Sequence, residues 1–145
     1  MKWMQYLLAL LALAGAVVSV QALRVHNSTD AQPCSINEKW DCGVVNHSRF
    51  AEINHVPVAV IGIAGYLVLC ALAFTGQRFL TFLAALVGFG FAFRLTVIEE
   101  LVLEVWCLYC VASQAIIGLI VLLSLAWLAV EYWSLRRANA RRVSF

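Results

Sequence analysis

VWCLYCVASQ, Val105 to Gln114, sets Cys107 and Cys110 at the mouth of an apolar run that continues to Val130. A helix needs roughly 20 residues to cross about 30 Å of hydrocarbon, and Cys107 to Val130 is long enough. Lipid offers the backbone no hydrogen-bond partner, so a run of this length can cross only as a helix. Residues i and i+3 share a helix face, which puts both sulfurs on one side of its first turn. The helix N-terminus brings free N–H groups and partial positive charge, and these favour the thiolate, the reactive form of cysteine. Glu99, Glu100 and Glu104 push the other way. Taken alone, the C-x-x-C reads as a redox pair, as half of a metal site, or as two small apolar residues. The rest of the chain has to discriminate.

Working outward, three more stretches have the same character: Met4 to Leu23, Val56 to Phe74, and Phe79 to Ile98, the last interrupted by Arg94. Hydrophobic residues make up 63% of the 145 and charged residues only 12%, against about 25% charged in soluble domains. The expectation is an all-α integral membrane protein with four transmembrane helices, over about 4–23, 56–74, 79–98 and 107–130. The length predicts one domain, 1–145. A net charge of +2 gives no reason to expect nucleic acid as a partner. Lys2, the apolar run after it and Val20-Gln21-Ala22 resemble a signal peptide with a cleavage site. That run exceeds the roughly 7–15 residues usual in such a leader, so the first span is expected to be retained.

Orientation follows from the basic residues. With the N-terminus inside, Lys2, Arg78, Arg136, Arg137, Arg141 and Arg142 lie on the inner side, while Arg24, Lys39 and Arg49 are spread over a longer outer loop. The positive-inside rule then places both termini in the cytoplasm. The loop from Arg24 to about His55 and the connection Glu99 to Trp106 face out, and Thr75-Gly76-Gln77-Arg78 is a tight inner turn.

This topology puts four of the five cysteines on the outer face, where disulfides persist. Cys34 and Cys42, in PCSINEKWDC, read as a shuttle pair for Cys107 and Cys110 or as a staple for a polar loop. A zinc site of all four outer cysteines is a third reading, although Cys34 and Cys42 do not form a knuckle. Cys70, within the second span, reads as a small buried hydrophobe. Gly62, Gly65, Gly88 and Gly90 read as close helix packing or as an exit for a lipid tail. Arg94 snorkels to the interface, pairs with Glu99, or serves a site. His26, His47 and His55 show no metal spacing, and His47 adjoins Ser48. Asn27-Ser28-Thr29 and Asn46-His47-Ser48 match the glycosylation pattern and read as chance.

The Cys34/Cys42 loop pair, VPVAVIGIAGYLVL (Val56 to Leu69), RLTVIEELVLEVWCLYC (Arg94 to Cys110) and the order of four spans together resemble the vitamin K epoxide reductase family, in particular its bacterial members. The likeness runs from Cys34 to the end of the fourth span. It implies a four-helix bundle around a quinone (ubiquinone or menaquinone), capped by the outer loop and a short surface helix. It implies that Cys34 and Cys42 are the shuttle pair, that Cys107 and Cys110 lie beside the quinone, and that Ser48 lies near that site. Two positions depart from the vertebrate pattern: Gln114 stands where those members have tyrosine, and Val58 where they have a quinone-contacting asparagine. Ser48, Val58, Cys110 and Gln114 are thus the expected quinone contacts.

The implied function is a quinone-dependent thiol oxidoreductase of a bacterial inner membrane, supporting disulfide formation. Electrons would pass from a thioredoxin-like (DsbA-like) carrier through Cys34/Cys42 and Cys107/Cys110 to the quinone pool. Some bacterial relatives carry a fused thioredoxin-like domain. This chain ends at Phe145 without one, so a separate soluble carrier is expected. The rival readings are a vitamin K epoxide reductase and a non-catalytic membrane scaffold with a stapled loop.

Overall fold

Lys2–Asn27 carries no proline and forms the first helix, α1, without interruption. The computed structural model describes residues 2–29 and 34–144; Asp30 to Pro33 of the loop lie outside the described residues. After Cys34 come a short helix α2 (Cys42–Asn46), a 3₁₀ turn (Arg49–Ala51) and a two-stranded hairpin of β1 (Glu52–Ile53) and β2 (Val56–Pro57). Three helices complete the chain: α3 (Val58–Phe74), α4 (Arg78–Ile98), which runs on into a π turn (Glu99–Leu103), and α5 (Leu108–Val143).

The long helices pack as a bundle, α1 against α3 and α5, and α4 against α5 and α3. The core comprises Leu8, Ala9 and Ala12 of α1, Tyr66, Leu69 and Ala73 of α3, Ala85 of α4, and Ile117, Ile120 and Trp127 of α5. α1 approaches α3 closely because position 15 has no side chain: a Cβ on Gly15 would overlap the Tyr66 ring. The Tyr66 hydroxyl then reaches α5, donating to the Ser113 carbonyl at 2.9 Å. α1 is therefore a full member of the bundle. Outward faces are apolar too, with Leu10, Val17, Val68, Val87 and Leu122 exposed. Helices that are hydrophobic all round belong in lipid.

Lys2–Asn27, Arg78–Leu103 and Leu108–Val143 are each long and apolar enough to cross a membrane. α3 is shorter, with 17 apolar residues, or about 26 Å at about 1.5 Å per residue. The second expected span begins two residues late because Val56 and Pro57 pair with Ile53 and Glu52 in the hairpin. Its turn residues Asn54 and His55 both have positive φ, 50° and 66°, as the tight turn that matches strand twist requires. α1 continues to Asn27, so Arg24 and His26 lie on a helix rather than in a loop. α5 runs 13 residues past the expected end at Val130, because the tail EYWSLRRANARRV holds neither glycine nor proline to stop it.

α3 and α4 are joined at the end of the bundle away from α2. Gly76 adopts φ +72°; its N–H bonds the Ala73 carbonyl, and the Gln77 N–H bonds that of Leu72. This is the Schellman closure that glycine permits at C′. Beside it Arg78 pairs with Glu131 and lies 5.1 Å from the Trp127 ring centroid, tying the start of α4 to α5.

Candidate active site

The two cysteine pairs, 65 residues apart in sequence from Cys42 to Cys107, meet at the α2 end of the bundle because three devices, two local and one long-range, fold the loop onto the start of α5. In the first, Asn37 Oδ1 accepts the N–H groups of Lys39 (2.9 Å) and Trp40 (3.0 Å), turning the chain back. In the second, Trp40 and Trp106 form an isolated parallel bridge: the Trp106 N–H bonds the Lys39 carbonyl at 2.8 Å and the Asp41 N–H bonds the Trp106 carbonyl at 3.0 Å. The third is the N-cap of α2. Asp41 Oδ1 accepts the N–H of Gly43 at 2.8 Å and that of Val44 at 3.3 Å, as N-cap aspartates do. The hydroxyl of Ser35 donates to the same oxygen at 2.8 Å. That hydroxyl is the main reason the Asp41 carboxyl is held below its ordinary pKa; burial opposes it, and the two backbone donors and His47 add to it.

Cys34 and Cys42 are joined by a disulfide with Cα atoms 5.7 Å apart, within the usual span. Cys107 and Cys110 are thiols. Cys34, Cys42 and Cys107 pack into one buried cluster with Val25 and Val45, and Cys110 lies against it. Cys42 and Cys107 are both 0% exposed. Cys107 is the N-cap of α5, and its Sγ accepts the Cys110 N–H at 3.4 Å. A second donor comes from α2: Asn46 Nδ2 lies 3.5 Å from the same sulfur and 2.9 Å from the Cys42 carbonyl. Sequence reading took Asn46 as a chance glycosylation match; it is buried, and its amide bridges the two cysteine pairs. The signal available was its position four residues after Cys42, one turn along the same helix face.

Cys110 lines a partly open cavity of about 850 Å³ between α1, α3, α4 and α5, beneath α2 and the 3₁₀ turn. Most of the lining is apolar, including Val58, Ile61, Leu83, Val87, Phe91 and Leu95. His26, Asn46, Ser48, Glu99 and Cys110 line its α2 end, and Ser19, Tyr66 and Ser113 line it further along. A long apolar slot with a few convergent polar groups at one end suits a ligand with a polar ring and an apolar tail.

Of the expected contacts, Ser48, Val58 and Cys110 line this cavity and Gln114 does not. Gln114 sits one residue around the helix from the lining residue Ser113, and its Oε1 is buried with no hydrogen-bond partner among the described residues. Gly62, Gly65 and Gly88 line the cavity and Gly90 does not. A Cβ on Gly62 would meet Ser19 Oγ at 2.9 Å, whereas one on Gly65 would meet nothing within 4 Å. Close packing thus holds for Gly62 and open space for Gly65. Arg94 is exposed and away from the cavity, as snorkelling requires. His47 is exposed and bonds the Gly43 carbonyl at 2.7 Å. Cys70 is buried in the core, as expected.

The histidine at the cavity is His26, which sequence reading left in a loop. Its Nδ1 meets the Asn46 carbonyl at 2.6 Å and its Nε2 meets Glu52 Oε1 at 3.1 Å, tying α1 to α2 and the hairpin. Glu99 was read as one of three acids and, in one reading, as the partner of Arg94; it is 2% exposed, its Oε2 accepts the Cys107 N–H at 3.1 Å, and no ion pair joins it to Arg94 among the described residues.

No curated protein matches the chain. A family model does, over residues 6–129, and its description is Vitamin K epoxide reductase family. The match takes in α1, both cysteine pairs and most of α5, so the chain belongs to the vitamin K epoxide reductase family.

Proposed function

We propose that the chain is a quinone-dependent thiol oxidase that passes electrons from a thioredoxin-like carrier through Cys34/Cys42 and Cys107/Cys110 to a membrane quinone. Members of the family are oxidoreductases associated with quinones and with thioredoxin-like partners. The observation that carries the reading is the order of the sulfurs: Cys42 and Cys107 lie together in a closed cluster, and Cys110, one turn on, opens into the apolar cavity. A staple alone gives no reason for that order.

In this reading a thiolate of the carrier attacks Cys34, and Cys42 leaves. The carrier's second thiol releases Cys34 and completes the carrier's own disulfide; once Cys107 and Cys110 are joined as a disulfide, Cys42 attacks Cys107, Cys110 leaves toward the cavity, and Cys34 resolves the Cys42–Cys107 bond, restoring Cys34–Cys42. Each transfer is a thiol–disulfide exchange, set by geometry and by the leaving thiol. Asn46 and the first N–H groups of α5 hold charge at Cys107 Sγ during the exchange. Cys34 is 3% exposed, so the carrier must displace part of the loop to reach it. The quinone, when bound, accepts the two electrons and two protons. His26, Asn46, Ser48 and Glu99 would surround its ring, and Val58, Leu83 and Val87 would exclude water from its tail. In this reading α3 spans as well, giving four spans, the α2 end faces outward, and both termini are cytoplasmic in a bacterial inner membrane.

The test replaces Cys34 or Cys42 with alanine. Oxidation of a protein carrier should stop, while reduction of a short-chain quinone by a small dithiol that reaches Cys107 directly should continue. If both activities persist unchanged, Cys34–Cys42 is a staple and the relay is wrong.

A further inference from the structure

Three acids sit close together in sequence where α4 ends. Glu100 and Glu104 are exposed, and Glu99 alone turns inward, at 2% exposure. Its carboxyl accepts the Cys107 N–H at 3.1 Å, at the start of the helical turn that carries Cys110. It also lines the cavity that Cys110 faces. No cation balances it: the ion pairs among the described residues are His26–Glu52 and Arg78–Glu131, and Arg94 is exposed. Burying an unpaired carboxylate is strongly unfavourable. A glutamine would accept the same N–H without that cost, so bonding to Cys107 does not account for an acid here.

The chemistry at the sulfurs supplies a reason. Closing Cys107 and Cys110 into a disulfide breaks two S–H bonds, forms one S–S bond, and sends two electrons and two protons to the quinone. The electrons leave through sulfur. The protons need a carrier beside these sulfurs, where Cys107 and Glu99 are both buried. We propose that Glu99 is the acid–base group of this site, taking the thiol proton of Cys110 onto its carboxyl and passing it into the cavity. Restored as a carboxylate, it accepts the proton of Cys107 in turn. The titratable groups facing Glu99 are Cys107 and Cys110 on α5. Across the site, α2 contributes the neutral Asn46 amide and α1 contributes His26 to the same cavity. The proposal rests on the quinone-dependent reading.

Glu99→Gln keeps an acceptor for the Cys107 N–H and nearly the same volume, but carries no proton. Its rate of short-chain quinone reduction by a small dithiol should fall about 100-fold or more, within the range for loss of a general acid–base group. Glu99→Asp should restore part of that rate with a displaced pH profile. Reduction of the Cys34–Cys42 disulfide by a thioredoxin-like protein should proceed in Glu99→Gln as in the parent. A readout without turnover uses infrared difference spectra of quinone-depleted protein. Reducing Cys107–Cys110 should produce a protonated-carboxyl C=O band in the parent that Glu99→Gln and Cys110→Ala both lack. A parent without that band, or a Glu99→Gln that reduces quinone as fast as the parent, overturns the role of Glu99. Should Glu99→Gln fail to fold, an unshifted pH profile in Glu99→Asp overturns it equally. The two failures separate: a parent that reduces no quinone brings down the functional reading itself, whereas an active parent with an equally active Glu99→Gln brings down only the acid–base assignment.

Discussion

Asp41 shows how one half-buried side chain holds a buried sulfur in place. It caps a helix of five residues whose first member is Cys42, and the bonds that cap it also draw in Ser35, next to Cys34. Loss of an N-cap costs about 1 kcal/mol. Asp41→Ala should loosen α2 by about that much, read as faster hydrogen exchange at Gly43 and Val44 and faster alkylation of Cys107. The pH sign follows from the lowered pKa, whose largest cause is the Ser35 hydroxyl. The stabilisation is fully present above the ordinary aspartate pKa and is lost as pH falls through the depressed value of the folded state. Acid should therefore lower the protection of the Gly43 and Val44 amides in the parent, after correction for the intrinsic pH dependence of exchange, and leave Asp41→Ala less responsive. Equal responses in the two would show that another group controls the cap.

At the scale of elements, the α3–α4 turn and the Trp40–Trp106 bridge do opposite work. The turn is local: Gly76 lies in the left-handed region, where a residue with a Cβ pays roughly 1–2 kcal/mol. A Cβ there would also meet Gln5 Nε2 at 2.5 Å. Gly76→Ala should lower stability by at least about 1 kcal/mol, measured by unfolding in detergent, without changing the alkylation rate of Cys107 at the far end. The bridge is non-local. It joins the loop to the connection before α5 by the two backbone bonds between Lys39, Asp41 and Trp106, with the indole rings 6.1 Å apart. Neither strand is long enough to show a period, so no sequence pattern announces it.

For the molecule as a whole, the proposed topology and relay make separate commitments. Arg136, Arg137, Arg141 and Arg142 lie on the far end of α5 from the cysteine cluster, and positive-inside orientation places that end in the cytoplasm. A reporter fused after Phe145 should be active only if it works in the cytoplasm; activity of an exclusively periplasmic reporter would invert the bundle and put the sulfurs on the reducing side. The relay predicts a trapped intermediate. In Cys110→Ala the Cys107 thiol can attack the loop disulfide at Cys42, releasing Cys34, and no thiol on α5 remains to resolve the product. Non-reducing digestion and mass spectrometry should recover a Cys42–Cys107 crosslinked peptide. A Cys34–Cys107 crosslink would reverse the roles of the loop cysteines, and normal turnover in this variant would rule out the relay.

Composition and the length of the apolar runs were enough to read the helices, since a helix that is apolar all round shows it in one contiguous stretch of sequence. The C-x-x-C at the start of α5, the turn at Gly76 and the family resemblance were legible for the same reason: each lies in a contiguous stretch with its own chemical logic. Only the tertiary structure decided which polar residues reach the site. Asn46, His26 and Glu99 looked like a glycosylation match, a loop histidine and one acid of three, because burial and direction depend on how α2 docks on α5 and how the π turn aims Glu99. Gln114 fell out of the cavity lining for the converse reason. A helix turns about 100° per residue, so the difference between Ser113 and Gln114 is the difference between facing the cavity and facing a neighbouring helix, and that is settled by packing between elements far apart in the chain.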